Sequence, residues 1–239
     1  TGFTISPGEV NSGVVHTYDD HRIAMAFTVL GLISPGISLD NPECVSKTAP
    51  DFFDHVDLLR LEGDRELAIL AIDGPAGSGK TSLAKRLASE LDFEYLDTGA
   101  MYRSVAARVL EEGINPEDQH VVTKIANQTS IVFKGEEVLV DGQNFTDVIR
   151  SPEVNSVVSY VAANPGVRAV LRRAQRSWAR KRGGGVLEGR DIGTVVFPKA
   201  KLKVYVTASP EERAKRRSLQ SGRPVKEIMD EITGRDKID

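Results

Sequence analysis

One octapeptide, Gly74-Pro75-Ala76-Gly77-Ser78-Gly79-Lys80-Thr81, leaves few folds open to this chain. It follows residues 67–73 (LAILAID), an apolar run without helical period that reads as a buried parallel strand, and it precedes text over 80–91 that reads as a helix. Strand, glycine-rich loop and helix together satisfy the pattern G-x-x-x-x-G-K-[ST]. Glycines let such a loop curl until successive N–H groups face a β-phosphate, and the helix N-terminus adds its positive end. Residues Gly74, Pro75, Ala76, Gly77, Ser78, Gly79, Lys80 and Thr81 are therefore expected to cradle ATP. Lys80 meets the β/γ oxygens and Thr81 offers a hydroxyl to Mg²⁺, which takes hard oxygen ligands. The alternative, a glycine-rich turn with an incidental lysine, leaves the flanking strand and helix unexplained.

Beyond the loop, 130–133 and 137–140 alternate around Lys134-Gly135-Glu136 and predict a hairpin. Residues 152–162 and 166–182 read as helices, and 186–189 and 202–207 as short buried strands followed by helix-forming text. Strands alternating with helices imply an α/β fold with a parallel sheet. The charged stretch 61–66 reads as a linker, which divides the chain into 1–60 and 67–239.

Such a loop also serves GTPases and motor ATPases, so the second substrate has to come from elsewhere. With 31 basic and 34 acidic residues and net charge -3, no global field marks a nucleic-acid or membrane binder. The single cysteine, Cys44, forms no internal disulfide, no apolar run approaches the length of a bilayer span and no leader is visible. A cytoplasmic protein with small-molecule partners is expected, its kinase-like part a monomer. His120 reads as a surface residue, and no His/Cys grouping has metal-ligand spacing.

Three stretches identify the acceptor. Tyr95-Leu96-Asp97-Thr98-Gly99-Ala100-Met101-Tyr102-Arg103, Gly189-Arg190-Asp191-Ile192-Gly193-Thr194-Val195-Val196-Phe197-Pro198 and Glu211-Glu212-Arg213-Ala214-Lys215-Arg216-Arg217 closely resemble the signatures of bacterial cytidylate kinases. The resemblance runs from about residue 67 to 239. It implies a P-loop nucleoside monophosphate kinase with a CMP-binding insert over about 128–182, passing the γ-phosphoryl of ATP to CMP or dCMP. Arg103 and Arg190 match residues holding the acceptor phosphate, Thr98 and Tyr102 positions lining the cleft, and Ser159, Arg168 and Asp191 the readers of cytosine. A carboxylate facing the N4 amine and a guanidinium facing N3 and O2 would complement that base. Arg213, Arg216 and Arg217 match the lid over the ATP phosphates, and Arg235 and Asp239 match contacts to the acceptor ribose. Lys80, Arg190, Arg213 and Arg217 are thus the expected catalytic cations. Asp191 could instead cap a strand end, and Arg172, Arg173, Arg176, Arg180 and Arg182 read as a solvated helix face. An RNA-binding face finds no aromatic support beyond Trp178.

The first sixty residues carry a second resemblance. Residues 16–27 (HTYDDHRIAMAF) and 41–53 (NPECVSKTAPDFF) are similar to the carboxyl end of enolpyruvylshikimate phosphate synthase. It implies a partial α/β piece in which Arg22 and Lys47 match binders of phosphoenolpyruvate. Asp20 reads as the N-cap of a helix presenting Ile23, Phe27 and Leu30 on one face. The sequence begins at Thr1 and stops in charged text, and the kinase pattern runs on past the position of Asp239. A stretch of a longer fusion is expected, in which the synthase precedes the kinase. Two rivals stand beside the kinase reading: a parent chain whose chief activity is 3-phosphoshikimate 1-carboxyvinyl transfer, and a nucleotide-binding module without transfer.

Overall fold

The computed structural model describes residues 12–33, 36–45, 48–49, 52–53, 56 and 67–236, with backbone alone at 32–33, 220–221, 231 and 234–236. The chain divides into two compact units, Thr1–Arg65 and Glu66–Asp239.

In the smaller unit, β1 (Gly13–Val15) and β2 (Ile37–Leu39) pair in parallel, joined through helix α1 (His21–Ile33). Asp20 caps α1 as expected, its carboxylate accepting from Arg22 N at 2.9 Å. The helix turns Ala24 and Thr28 inward, whereas Phe27 is exposed. Ala24 packs with Cys44 and Val45, partly covered by Met25, Leu39, Ala49, Phe52 and Phe53.

The larger unit is built on β3 (Ala68–Asp73), β4 (Tyr95–Asp97), β8 (Gly184–Gly189) and β9 (Leu202–Tyr205), all parallel in the order β4-β8-β3-β9. Labels β5 to β7 belong to a small antiparallel sheet of Ile131–Lys134, Glu137–Val140 and Gln143–Asn144. Side chains of β3 alternate between faces. Ile69 and Ala71 join Leu96 and Leu187 on one side, and Leu70 and Ile72 join Val186 on the other. Helix α2 (Lys80–Glu90) covers the second face through Ala84 and Ala88. The first face is closed by α3 (Thr98–Glu111) through Val105 and Val109, and by Val167 and Leu171 from the helix Pro165–Arg180. A sheet covered on both faces explains why β3 reads as one continuous apolar run. Each fully buried Ile or Leu contributes roughly 1.5–3 kcal/mol.

The remaining helices in chain order are α4 (Gln119–Gln128), α5 (Pro152–Ala163), α6 (Pro165–Arg180), α7 (Pro210–Ser221) and α8 (Val225–Asp236). The expected hairpin forms with an added third strand. The helices expected over 152–162 and 166–182 are α5 and α6, separated by Asn164, whose side chain caps α6 by accepting from Gly166 N and Val167 N. Helices α3 and α4 were not legible in the sequence. Asp97 ends β4 and at once caps α3, accepting from Ala100 N at 2.9 Å, so strand passes into helix without a loop.

Candidate active site

The phosphate-binding loop leaves β3 through Gly74, whose φ is +146°. A Cβ there would lie 2.0 Å from Val206 O, so only glycine lets the loop pass the end of β9. Lys80, the first residue of α2, turns back and donates to Pro75 O at 2.8 Å. Burial pulls its ammonium down to about 8, against the nearby Glu188 carboxylate that holds it up.

Thr81 donates to Glu188 Oε1 at 2.9 Å, and Tyr95 OH donates to the same oxygen at 2.7 Å. Glu188 stands near the end of β8, across from Asp97, and is 5% exposed. Its second oxygen, Oε2, has no hydrogen-bond partner among the described residues. Burial first, then the Asp97 charge, pushes the Glu188 carboxyl up. Nothing in the sequence marked this residue beyond one carboxylate within an apolar strand. The pair of Thr81 hydroxyl and half-satisfied carboxylate is a hard-oxygen set of the kind Mg²⁺ takes. Among the described residues no group of three or more His, Cys, Asp or Glu could hold a metal.

One cleft of about 610 Å³ gathers most of the expected residues. Lys80 and Thr81 line one end, with Thr98, Tyr102, Arg103, Ser159, Arg168, Arg190, Asp191 and Arg217 around the rest. Within it Arg103 donates to Asp97 Oδ2 at 2.8 Å, while its buried Nε has no hydrogen-bond partner among the described residues. Thr98 gives its hydroxyl to Glu188 O at 2.7 Å, which ties α3 to β8. Burial pushes the Tyr102 phenol up to about 12. Arg168 on α6 and Asp191, the two expected base readers, pair with each other.

The arginines expected to form a lid separate. Arg217 lines the cleft, whereas Arg213 is 3% exposed and donates to Ala208 O at 3.1 Å and Ala76 O at 3.4 Å. Arg216 donates to Ser78 O at 3.2 Å. Helix α7 thus rests on the carbonyls of the phosphate-binding loop. A second cavity of about 530 Å³ lies under it, between Gly74, Pro75, Arg190, Tyr205, Ser209 and Arg213.

Behind the cleft, a five-residue π-helical turn, Ile192–Val196, follows Asp191. Asp73, the last residue of β3, is 7% exposed and accepts from Ile192 N at 2.8 Å and Gly193 N at 2.7 Å. Arg176 belongs to the arginine run expected to face solvent, yet it is 3% exposed and donates to Val196 O at 2.9 Å and Val195 O at 3.1 Å. On α6 it falls beside Val167, Leu171, Gln175 and Ala179, the buried stripe at every fourth residue.

Asp239 and Lys47 lie outside the described residues, as does the Arg235 side chain. In the smaller unit, the Arg22 side chain is 80% exposed and pairs with Asp20 at 2.6 Å. No helix among the described residues is long and apolar enough to cross a membrane.

Comparison with known proteins agrees with both resemblances. The cytidylate kinase family model matches residues 70–239, and that of EPSP synthase (3-phosphoshikimate 1-carboxyvinyltransferase) matches residues 1–56. A cytidylate kinase of Pelotomaculum thermopropionicum is 46% identical over 180 residues, covering 71% of this chain and 79% of that protein. Another from Caldanaerobacter subterraneus subsp. tengcongensis is 45% identical over 175 residues, covering 71% of this chain and 78% of that protein. A bifunctional pantoate ligase/cytidylate kinase of Synechococcus sp. is 47% identical over 183 residues, 72% of this chain but 34% of that protein. With its phosphate-binding loop, its arginine-lined cleft and a family match over most of its length, this chain belongs to the cytidylate kinase family.

Proposed function

We propose that residues 67–239 transfer the γ-phosphoryl group of ATP to CMP or dCMP, giving ADP and CDP or dCDP, in a cytoplasmic setting and as a monomeric unit. The observation that carries this reading is that Lys80 and Thr81 open on the same cleft as Arg103, Arg190, Arg168 and Asp191. A donor loop and a set of guanidiniums on one cleft bring two anionic substrates together for in-line transfer. Loose phosphoryl transfer asks the protein for position and charge, with no covalent intermediate.

The roles follow from the chemistry. Backbone N–H groups of 74–81 cradle the β-phosphate and Lys80 neutralises the β/γ oxygens. Arg103 and Arg190 hold the acceptor phosphate, their guanidinium forks matching its oxygens. Arg190 borders both cavities, so it can follow the group in transit. Arg213 and Arg216 leave the loop carbonyls and, with Arg217 from the cleft wall, turn to phosphate oxygens when nucleotide is bound, and α7 then excludes water. Thr81 and Glu188 would hold Mg²⁺, which when bound supplies charge stabilisation at the phosphates. The Arg168 and Asp191 pair opens to cytosine, Asp191 accepting from N4 and Arg168 donating to N3 and O2, with Ser159 beside them and Tyr102 and Thr98 as walls. Arg235 and Asp239 reach the acceptor ribose. Residues 1–60 are read as the end of an EPSP synthase-like domain and 61–66 as the linker; the alternative reading is a bifunctional fusion whose other activity is 3-phosphoshikimate 1-carboxyvinyl transfer, incomplete in this chain.

ADP formation that depends on added CMP tests the reading. ADP released at the same rate without a monophosphate acceptor would show a nucleotide hydrolase instead, and no ADP with any acceptor a binding module.

A further inference from the structure

The turn Ile192–Val196 has the defect of every short helix: its first N–H groups and last carbonyls lack partners inside it. Asp191 O accepts from Thr194 N, Val195 N and Val196 N, and Ile192 O from Phe197 N, while Ile192 N and Gly193 N lie at one end of the turn and the carbonyls of Val195 and Val196 at the other. Asp73 takes both amides and Arg176 takes both carbonyls. An anion therefore sits at the positive end of the turn and a cation at its negative end, the arrangement favoured by the peptide dipoles. Both side chains are buried, so solvent does not compete for these bonds. The approach is close by design of the backbone: a Cβ on Gly193 would stand 3.3 Å from Asp73 Oδ2 and 3.2 Å from the Lys203 stem.

The two clamping residues come from different parts of the site. Asp73 immediately precedes Gly74 and the donor loop. Arg176 lies on α6, eight residues beyond Arg168, roughly 12 Å along the helix. Helix α6 thus touches the loop of 190–196 twice, through the Arg168 and Asp191 pair and through Arg176 at the turn's far end.

We propose that Asp73 and Arg176 are positioning residues: by holding the two ends of the Ile192–Val196 turn they fix Arg190 and Asp191 against the phosphate-binding loop, and so set which nucleobase the acceptor cleft accepts. This rests on the acceptor reading given above. Neither residue lines the cleft. Their influence passes through the placement of Asp191, and displacements near 1 Å at a reacting centre cost up to about a hundredfold.

The test is steady-state turnover of CMP and UMP by Arg176→Lys, Arg176→Met and Asp73→Asn. Lysine keeps the charge but cannot span two carbonyls, and asparagine turns an amide N–H₂ toward a backbone N–H. Each variant should lose about tenfold or more in the ratio of kcat/KM for CMP over UMP, while KM for ATP in the Arg176 variants stays within about threefold. A ratio equal to the parent's, with only the melting temperature lowered, would show that the clamp holds the fold and nothing more. Should the Met variant fail to fold, Arg176→Lys carries the ratio. Amide exchange on the unsubstituted chain provides an independent reading: Ile192 and Gly193 N–H should be protected at least a hundredfold over a free loop. Exchange at the free-loop rate overturns the clamp itself. A chain that uses neither CMP nor UMP while those amides stay protected removes the acceptor reading and the selectivity role with it.

Discussion

Replacing Glu188 by glutamine keeps the shape of the donor site and removes one charge from it. Oε1 still accepts from Thr81 and Tyr95, whose bonds measure 2.9 and 2.7 Å, so the local frame is retained. What changes is the second oxygen, which has no hydrogen-bond partner among the described residues. An amide nitrogen in its place is a buried donor without a partner, costing about 1–3 kcal/mol. Removing an ionised carboxylate from a site that is 5% exposed offsets this by several kcal/mol when the group is charged. The balance therefore depends on pH. Burial raises the folded-state pKa of Glu188 above its unfolded value. The parent accordingly carries no ionisation penalty below the unfolded value, near 4.3, and acquires it as pH rises through the folded value. Both the protonated parent at pH 4 and the variant carry an unpartnered buried donor, so Glu188→Gln should be near the parent in stability at pH 4 and more stable at pH 8, where only the parent buries a charge, as read by urea unfolding. Activity should move the other way. Loss of one preorganised charge beside the phosphates should lower kcat about 10²–10³-fold, and half-saturation by Mg²⁺ should need about 10–100 times more metal. The Glu188 charge also holds the Lys80 ammonium up near 8. The alkaline limb of kcat/KM for ATP should then shift to lower pH in the variant. A kcat within threefold of the parent's at pH 8, or a stability difference that does not change between pH 4 and 8, would refute this reasoning.

Lys80→Ala should fold normally, since the half-buried Lys80 side chain contributes a bond to Pro75 O but no apolar core contact, but should lose at least about a hundredfold in kcat; far-ultraviolet circular dichroism beside turnover checks both halves. Asp191→Asn presents an amide donor toward O4 of uracil and leaves Arg168 without its charged partner, so CMP use should fall and the gap to UMP should narrow by about 1–3 kcal/mol, measured as the ratio of kcat/KM values in competition. Deleting residues 1–60 should leave the kcat for CMP within about twofold, because the larger unit has its own core; a severe loss would make that segment part of the kinase.

The sequence displayed the loop of the candidate site almost completely, because that loop is built from consecutive residues. The glycines, Lys80 and Thr81 are neighbours in the chain, and the strand and helix on either side have the periods the motif demands. Residues whose meaning comes from the fold were harder to see. Asp73 and Glu188 sit at the ends of apolar strands, where a carboxylate in sequence looks like a strand terminator; only the parallel pairing of β3 with β8 shows that both are buried. Arg176 was hidden by its neighbours, since five other arginines over 168–182 gave the helix the look of a solvated face. The four-residue spacing of Val167, Leu171, Gln175 and Ala179 was the available signal for the buried stripe beside it. Helix α3 escaped because its start, Thr98-Gly99, lacks the usual cap signature after a strand, the cap being the last strand residue itself. In α1 the apolar positions Ile23, Phe27 and Leu30 suggested the inward face, but the smaller Ala24 and Thr28 occupy it in this unit.

The most direct measurement is a panel of CMP, dCMP, UMP, AMP and GMP supplied with ATP and Mg²⁺, with ADP formation followed for each. The account predicts the highest kcat/KM for CMP or dCMP, UMP at least about tenfold lower, and little ADP from the purine nucleotides, which meet a cleft of about 610 Å³ shared by both substrates. ADP formation independent of any acceptor, or a preference for UMP or a purine monophosphate over both cytidine nucleotides, would contradict it.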